Sequence, residues 1–131
     1  MDPNLKYVLR EMPETAREFY ARLARGEIAT TRCRSCAQLR FPPRTRCPAC
    51  GGNTRWESIG GHGHVYAFTQ QERGLAFTAP DVIGIVELQE GVRVFGVFER
   101  PLDRLAVGAP VEAMPRPQPA GLTLLAFSLS P

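Results

Sequence analysis

The sequence predicts a mainly β protein: a short N-terminal helix, a four-cysteine metal-binding ribbon, and then a small barrel of five strands. Three observations carry this. All four cysteines fall within Arg32–Gly52, as two Cys-x-x-Cys pairs. One stripe of helical period precedes them, and five segments of strand character follow, separated by Gly or Pro with no helical pattern between them. Twelve prolines and twelve glycines among 131 residues favour short elements and frequent turns. That length suits one compact unit or two small lobes sharing an interface. The expected organisation is a helical segment over residues 1–28, the ribbon over 29–57 and the barrel over 58–131.

The helix comes first. Pro13 suits a first-turn position, and Glu14 and Glu18 lie where the positive end of the helix dipole favours acids. Ala16, Phe19, Tyr20 and Leu23 recur at helical spacing and form one apolar stripe, with Gly26 as the expected stop. A helix this short needs a surface on which to pack that stripe. Leu5, Val8 and Leu9 suggest a further, weaker helical turn upstream.

In the ribbon, Cys33 and Cys36 are separated by two residues, as are Cys47 and Cys50, and ten residues lie between the pairs. A two-residue gap lets both sulfurs of a pair face one ion from a tight turn. Two such turns facing each other supply the corners of a tetrahedron around zinc. Gly51 follows the second pair where chain reversal is easiest for glycine, whereas Ala37 stands at the counterpart position and suits it less well. A thioredoxin-like redox role needs a helix directly after the pair, and the double proline of "AQLRFPPR" forbids one. Four protein sulfurs leave no position for water or substrate, so the expected ion is structural, a staple for a lobe too small to bury its own core. Iron in a rubredoxin-like site is the alternative occupant.

The opening "MDPNLKYVLREM" has charges where a signal peptide would place its apolar stretch, and no apolar run approaches the roughly 20 residues of a membrane span. The expected compartment is the cytoplasm, where thiols stay reduced. The formal charge of +3 falls to about +1 once four thiolates bind one divalent ion. Between Arg22 and Arg55 stand eight arginines against one acid, Glu27. They form either a solvated face that offsets the zinc–thiolate charge or an attraction for phosphate, on nucleic acid or on a cofactor such as coenzyme A.

After the cysteines, "HVYAFTQQ" (His64–Gln71) alternates, with Tyr66 and Phe68 on one face and Val65, Ala67 and Thr69 on the other. "VIGIVEL" (Val82–Leu88) and "VRVFGVF" (Val92–Phe98) are joined by a tight "QEG" hairpin. "LAVGAPVEAM" (Leu105–Met114) and "LTLLAFSL" (Leu122–Leu129) complete the five, with "PRPQPAG" (Pro115–Gly121) as a stiff turn between them. The OB-fold is the leading five-stranded candidate. His62 and His64 share a strand face, either as a metal or catalytic pair or as polar residues at a strand entrance; no acid or third ligand adjoins them in sequence. No Ser–His–Asp or Cys–His set is assembled, because every cysteine already has a role. "RGLAFTAPD" (Arg73–Asp81) is unusually apolar for a loop and reads as a partner or acyl-chain surface, or as a loop folded onto its own barrel mouth. Trp56 reads as packing at the joint between ribbon and barrel.

Helix, ribbon and barrel in this order resemble the zinc-ribbon/OB-fold proteins long catalogued as a domain of unknown function and encoded beside thiolases and related acyl-CoA enzymes. The likeness covers most of the chain. It rests on "FYARLARGEI" (Phe19–Ile28), "CRSCAQLRFPPRTRCPACGG" (Cys33–Gly52) and "GHGHVYAFT" (Gly61–Thr69), with "FPPR" and the G-x-G-x-V-Y entry as its most specific parts. "VGAPVEA" near the end also fits; Ala37, where the family often has glycine, and His64 depart from the pattern.

The resemblance implies a non-catalytic accessory subunit of a thiolase-like enzyme, such as a thiolase, aldolase or acyltransferase. Such a subunit supports its partner and helps form the acyl-CoA channel, while the nucleophile and acid/base groups belong to the partner. The structural zinc roles of Cys33, Cys36, Cys47 and Cys50 carry over directly. No catalytic residue and no individual CoA contact does, and the chain is not expected to turn over substrate alone. The alternative is a single-stranded nucleic-acid-binding module, since ribbons and OB-folds are both used that way. That role needs basic residues around exposed aromatics, and only Arg93 and Arg100 lie close to Tyr66, Phe68, Phe95, Phe98 and Phe127 in sequence.

Overall fold

The computed structural model describes residues 6–7, 10–71, 81–118 and 121–130. Leu5, Val8, Leu9 and the segment 73–80, all singled out in the sequence, lie outside the described residues.

Helix α1 (Glu14–Ala24) starts after Pro13, whose carbonyl accepts the Arg17 N–H at 3.0 Å. Gly26, at φ 89, ends it and donates its N–H to the Leu23 carbonyl at 2.9 Å. Phe19 and Leu23 of the predicted stripe are buried, and Tyr20 packs beside them. Phe41 of "FPPR" meets the Phe19 ring edge-on, with centroids 5.4 Å apart. This double-proline segment therefore seats the helix as well as spacing the cysteine pairs.

The ribbon is a small antiparallel sheet of β1 (Ala29–Cys33), β2 (Leu39–Arg40) and β3 (Thr54–Ser58), in the order β2-β1-β3. Strands β1 and β3 carry no apolar alternation that would announce them. Thr30 and Thr31 are buried, and their hydroxyls are satisfied locally. The Thr30 hydroxyl donates to the Arg40 carbonyl, and Thr31 Oγ1 accepts the Arg44 N–H at 2.8 Å.

The remaining strands, β4 (His62–Gln71), β5 (Asp81–Leu88), β6 (Arg93–Phe98), β7 (Pro110–Pro117) and β8 (Thr123–Leu129), close into a barrel ordered β4-β5-β6-β8-β7. All neighbours are antiparallel except β6 and β8, which run parallel through Val97↔Ala126 and Phe98↔Phe127. This is the OB-fold the sequence predicts. Two glycines paired across β5 and β6 make room for its largest side chains. A Cβ on Gly84 would lie 2.1 Å from the Ala67 carbonyl oxygen and 2.8 Å from the Phe98 ring, and one on Gly96 3.0 Å from the Phe127 ring. The Phe98 and Phe127 rings then meet inside, with centroids 5.0 Å apart.

Two details differ from the sequence reading. The β4–β5 register steps from Val65↔Val86 to Ala67↔Ile85, which makes Tyr66 the extra residue of a bulge. Beyond it Phe68 pairs with Gly84, and its ring, though 40% exposed, approaches that of buried Phe98 at 6.4 Å between centroids, so the bulge interrupts the plain alternation. Strand β7 also starts later and ends later than expected. Residues 105–109 turn instead, through Gly108 at φ 89 and an Ala109 N–H to Ala106 carbonyl bond of 3.0 Å. The strand then continues through Pro115 and Pro117. Ala113 donates its N–H to Gly61 on the β4 side, so the prolines two and four residues on lack donors only where β4 no longer runs alongside.

Helix α1 packs on β1 of the ribbon and on β7 and β8 of the barrel. Its Phe19 and Leu23 join Ile28 and the barrel interior in one continuous core. Trp56 packs at this joint, with the Arg22 guanidinium 4.9 Å from its ring centroid.

Candidate metal centre

The two cysteine turns are built alike. In the first, Cys33 N–H donates to the Gln38 carbonyl at 2.9 Å and Ala37 N–H to the Cys33 carbonyl at 3.1 Å. In the second, Cys47 N–H donates to the Gly52 carbonyl at 2.9 Å and Gly51 N–H to the Cys47 carbonyl at 2.8 Å. The first cysteine of each pair is buried and the second is exposed at the rim.

All four Sγ atoms lie within 4.8 Å of one another. Cys33 and Cys50 sulfurs are 3.5 Å apart, and those of Cys36 and Cys47 are 3.7 Å apart. Zinc–sulfur bonds of about 2.3 Å in a tetrahedron set sulfurs about 3.8 Å apart, so the four thiols fit such an ion. Neither pair is at the roughly 2.05 Å of a disulfide, and all four cysteines are free.

The electrostatics agree with a cation-dependent site. The Cys47 thiol is lowered to about 6 by the backbone N–H groups of Cys50 and Ala49, against burial and with lesser help from Cys36 and Arg40. The Cys33 thiol is lowered by the N–H of Cys36 and, after the opposing effect of burial, that of Ser35; these donors lie 3.4 and 3.3 Å from its sulfur. For Cys50 the Gly52 N–H pulls downward, but hydrogen bonding to Cys33, burial and the other two sulfurs outweigh it and raise the thiol to about 11. Negative charge is favoured on the two buried sulfurs, and a bound cation would relieve the repulsion among four thiolates. A soft, all-sulfur donor set selects zinc or iron.

Two supporting features escaped the sequence reading. A Cβ on Gly52 would lie 3.0 Å from Cys33 Sγ and 2.7 Å from Ser35 Oγ, so this position admits no side chain without displacing the cluster. Arg32 grips Glu57 on β3 through Nε at 2.9 Å and Nη2 at 2.7 Å, while its Nη1 donates to the Ala37 carbonyl at 2.6 Å. It ties the first cysteine turn to the third strand. The arginine-rich stretch is accordingly not one open patch. Arg22 pairs with Glu18 and Glu27 at 2.9 and 3.1 Å, and Arg55 pairs with Glu57 at 3.0 Å.

His62 and His64 lie exposed on β4. The fold sets Glu112 opposite His62 and Glu87 opposite His64, acids that are remote in sequence. Among the described residues, however, metal-ligating groups converge only at the four cysteines. On the outer barrel face Phe95 is 57% and Tyr66 46% exposed, with Ile85 directly across from Phe95. The Arg93 guanidinium lies 3.9 Å from the Tyr66 ring centroid and pairs with Glu87 at 2.9 Å.

Comparison with known proteins gives matches over both lobes. Residues 21–57 match the family described as ChsH2, rubredoxin-like zinc ribbon domain, and residues 56–114 match ChsH2, C-terminal OB-fold domain. A DUF35 domain-containing scaffold protein of Methanocaldococcus jannaschii is 32% identical over 116 residues, covering 84% of this chain and 82% of the relative. The chain belongs to the ChsH2/DUF35 family. Another relative is benzoylsuccinyl-CoA thiolase subunit BbsA of Thauera aromatica, 33% identical over 70 residues, which are 52% of this chain and 49% of that one. Among solved structures, a chain of the Ltp2-ChsH2(DUF35) aldolase superposes with a TM-score of 0.79 at 27% identity, covering 91% of this chain and 97% of that one. In this ChsH2/DUF35 chain the ribbon match holds all four cysteines, and the barrel match holds β4 to β6 and the first half of β7.

Proposed function

We propose that this chain is a non-catalytic accessory subunit of a thiolase-like enzyme, a thiolase, aldolase or acyltransferase. It supports that partner and helps form the acyl-CoA channel, with Cys33, Cys36, Cys47 and Cys50 holding a structural zinc ion. The observation that carries this reading is the likeness, over nearly the whole chain, to a subunit of the Ltp2-ChsH2(DUF35) aldolase. The partial match to a subunit of a benzoylsuccinyl-CoA thiolase points to the same class of partner.

The physical arrangement supports a scaffold. Cys33, Cys36, Cys47 and Cys50 would hold a zinc ion that ties together two turns with little apolar surface of their own. Helix α1 transmits that rigidity to the barrel by sharing its core. The barrel in turn presents Tyr66, Ile85 and Phe95 as an apolar strip on a stiff sheet, a surface that suits a protein partner. The Arg93 guanidinium beside Tyr66 is paired with Glu87, which weakens the case for an oligonucleotide there.

Affinity purification of the full chain from its native host, followed by mass spectrometry and native mass measurement, tests the reading. The expected result is a stoichiometric thiolase-like chain whose activity on acyl-CoA depends on this subunit. Turnover by the isolated zinc-loaded chain, or tight salt-dependent binding of single-stranded oligonucleotides without such a partner, overturns it.

A further inference from the structure

We propose that Arg40 is the cation that balances the charge of the cysteine cluster, its guanidinium acting on Cys47 Sγ; this rests on the zinc reading above. Zinc with four thiolates carries a net charge of about −2, in a site where two of the sulfurs are buried. Such a centre needs positive charge or N–H donors beside it.

Two arginines line the recess beside Cys33 and Cys47: Arg44, which is exposed, and Arg40, which is partly buried. Arg40 Nε is buried and has no hydrogen-bond partner among the described residues. A buried donor without an acceptor is costly, and native folds rarely leave one without a reason. Arg40 lines the same small recess as Cys33, Cys47, Thr31 and Gln38.

Its position is fixed independently of the sulfurs. Arg40 pairs with Thr31 across β1 and β2, its carbonyl accepts the Thr30 hydroxyl, and its Nη2 donates to Gln38 Oε1. These contacts keep Arg40 at the recess, with Nε as a donor that has no partner among the described residues. Full ionisation of the cluster gives the unused donor an anionic acceptor. Arg34, on the exposed rim of the first turn, carries the same charge without lining the recess.

The test compares full-length wild type, Arg40→Gln, Arg40→Lys and Arg34→Gln by chelator competition for zinc and by the thiolate-to-metal charge-transfer band of the cobalt-substituted proteins. Arg40→Gln is expected to lower zinc affinity by about 10- to 100-fold and to shift the band, with Arg40→Lys intermediate. Arg34→Gln is expected to stay within about twofold, because exposed charges are screened. An Arg40→Gln protein indistinguishable from Arg34→Gln overturns the assignment. Should Arg40→Gln fail to fold, nitrogen NMR of the wild type decides: the Arg40 Nε–H resonance must shift and resist solvent exchange on metal loading, and an unmoved, freely exchanging signal sinks the idea. Wild type that takes up no stoichiometric metal refutes the zinc reading itself, before any variant is compared.

Discussion

Ala37 occupies, at φ 63, the position in the first cysteine turn that Gly51 occupies, at φ 74, in the second. The left-handed conformation costs a residue with a Cβ about 1 kcal/mol or more. Nothing lies within 4 Å of a Cβ built on Gly51, so the cost there is conformational and not steric. Ala37→Gly is therefore expected to stabilise the zinc-loaded protein by about 1 kcal/mol, and Gly51→Ala to destabilise it by a similar amount. Chemical denaturation of both variants checks this, and the two shifts must have opposite signs.

Gly52 answers to a different constraint, since a methyl there meets Cys33 Sγ and Ser35 Oγ. The serine hydroxyl can swing away, but a metal-bound sulfur cannot. Gly52→Ala is expected to weaken zinc binding by about tenfold, the scale of other changes just outside a ligand set. Chelator competition measures it, with Gly51→Ala as the neighbour that should leave affinity nearly unchanged.

The Arg32–Glu57 pair predicts an acid response. Hydrogen bonds from Arg32, opposed by partial burial and aided by the charges of Arg32 and Arg55, hold the Glu57 carboxyl below its ordinary 4.5. A carboxyl depressed on folding stabilises the fold above that ordinary value and loses its contribution as pH falls through the folded one. Glu57→Gln should therefore lower the denaturation midpoint at neutral pH, and the gap to wild type should close below about pH 4.5. Acid also strips metal from cysteines, so the readout is the difference between the two proteins at matched zinc occupancy. A gap that persists unchanged in acid refutes the assignment.

These tests also mark what the sequence could reveal. Cys33, Cys36, Cys47 and Cys50 announce the centre because ligand spacing is a local property. The five barrel strands are legible because turn residues bracket runs of Val, Ile and Phe. What stayed hidden depends on contacts between distant positions. Strand β1 buries threonines whose hydroxyls find partners only in the folded ribbon. The bulge at Tyr66 follows from pairing with β5 and brings the part-exposed Phe68 beside Phe98, interrupting the plain alternation. The partners of Arg22, Arg32 and Arg55 include Glu18 and Glu57, which flank the basic stretch and fold back on it. Pro115 and Pro117 read as a turn until the unpaired side of β7 is known.

The barrel surface yields the prediction closest to function. Single exposed apolar residues are ordinary, but Phe95 and Ile85 lie directly opposite on adjacent strands, and Tyr66 projects from the next strand beneath Arg93. A sheet face cannot yield as a loop can, so a partner that docks here meets a preformed surface at low entropic cost. Phe95 points away from the core, and Phe95→Glu should leave the thermal midpoint and zinc content close to wild type. At the centre of an interface the same change costs about 2 kcal/mol or more, roughly a 30-fold loss of affinity for the proposed thiolase-like partner. Tyr66→Ala should lose less, because Arg93 keeps its pairing with Glu87. Titration calorimetry with the purified partner measures both. Full affinity in Phe95→Glu would move the docking face off the barrel strip and onto the ribbon side, where Arg34, Arg44 and Arg46 are exposed.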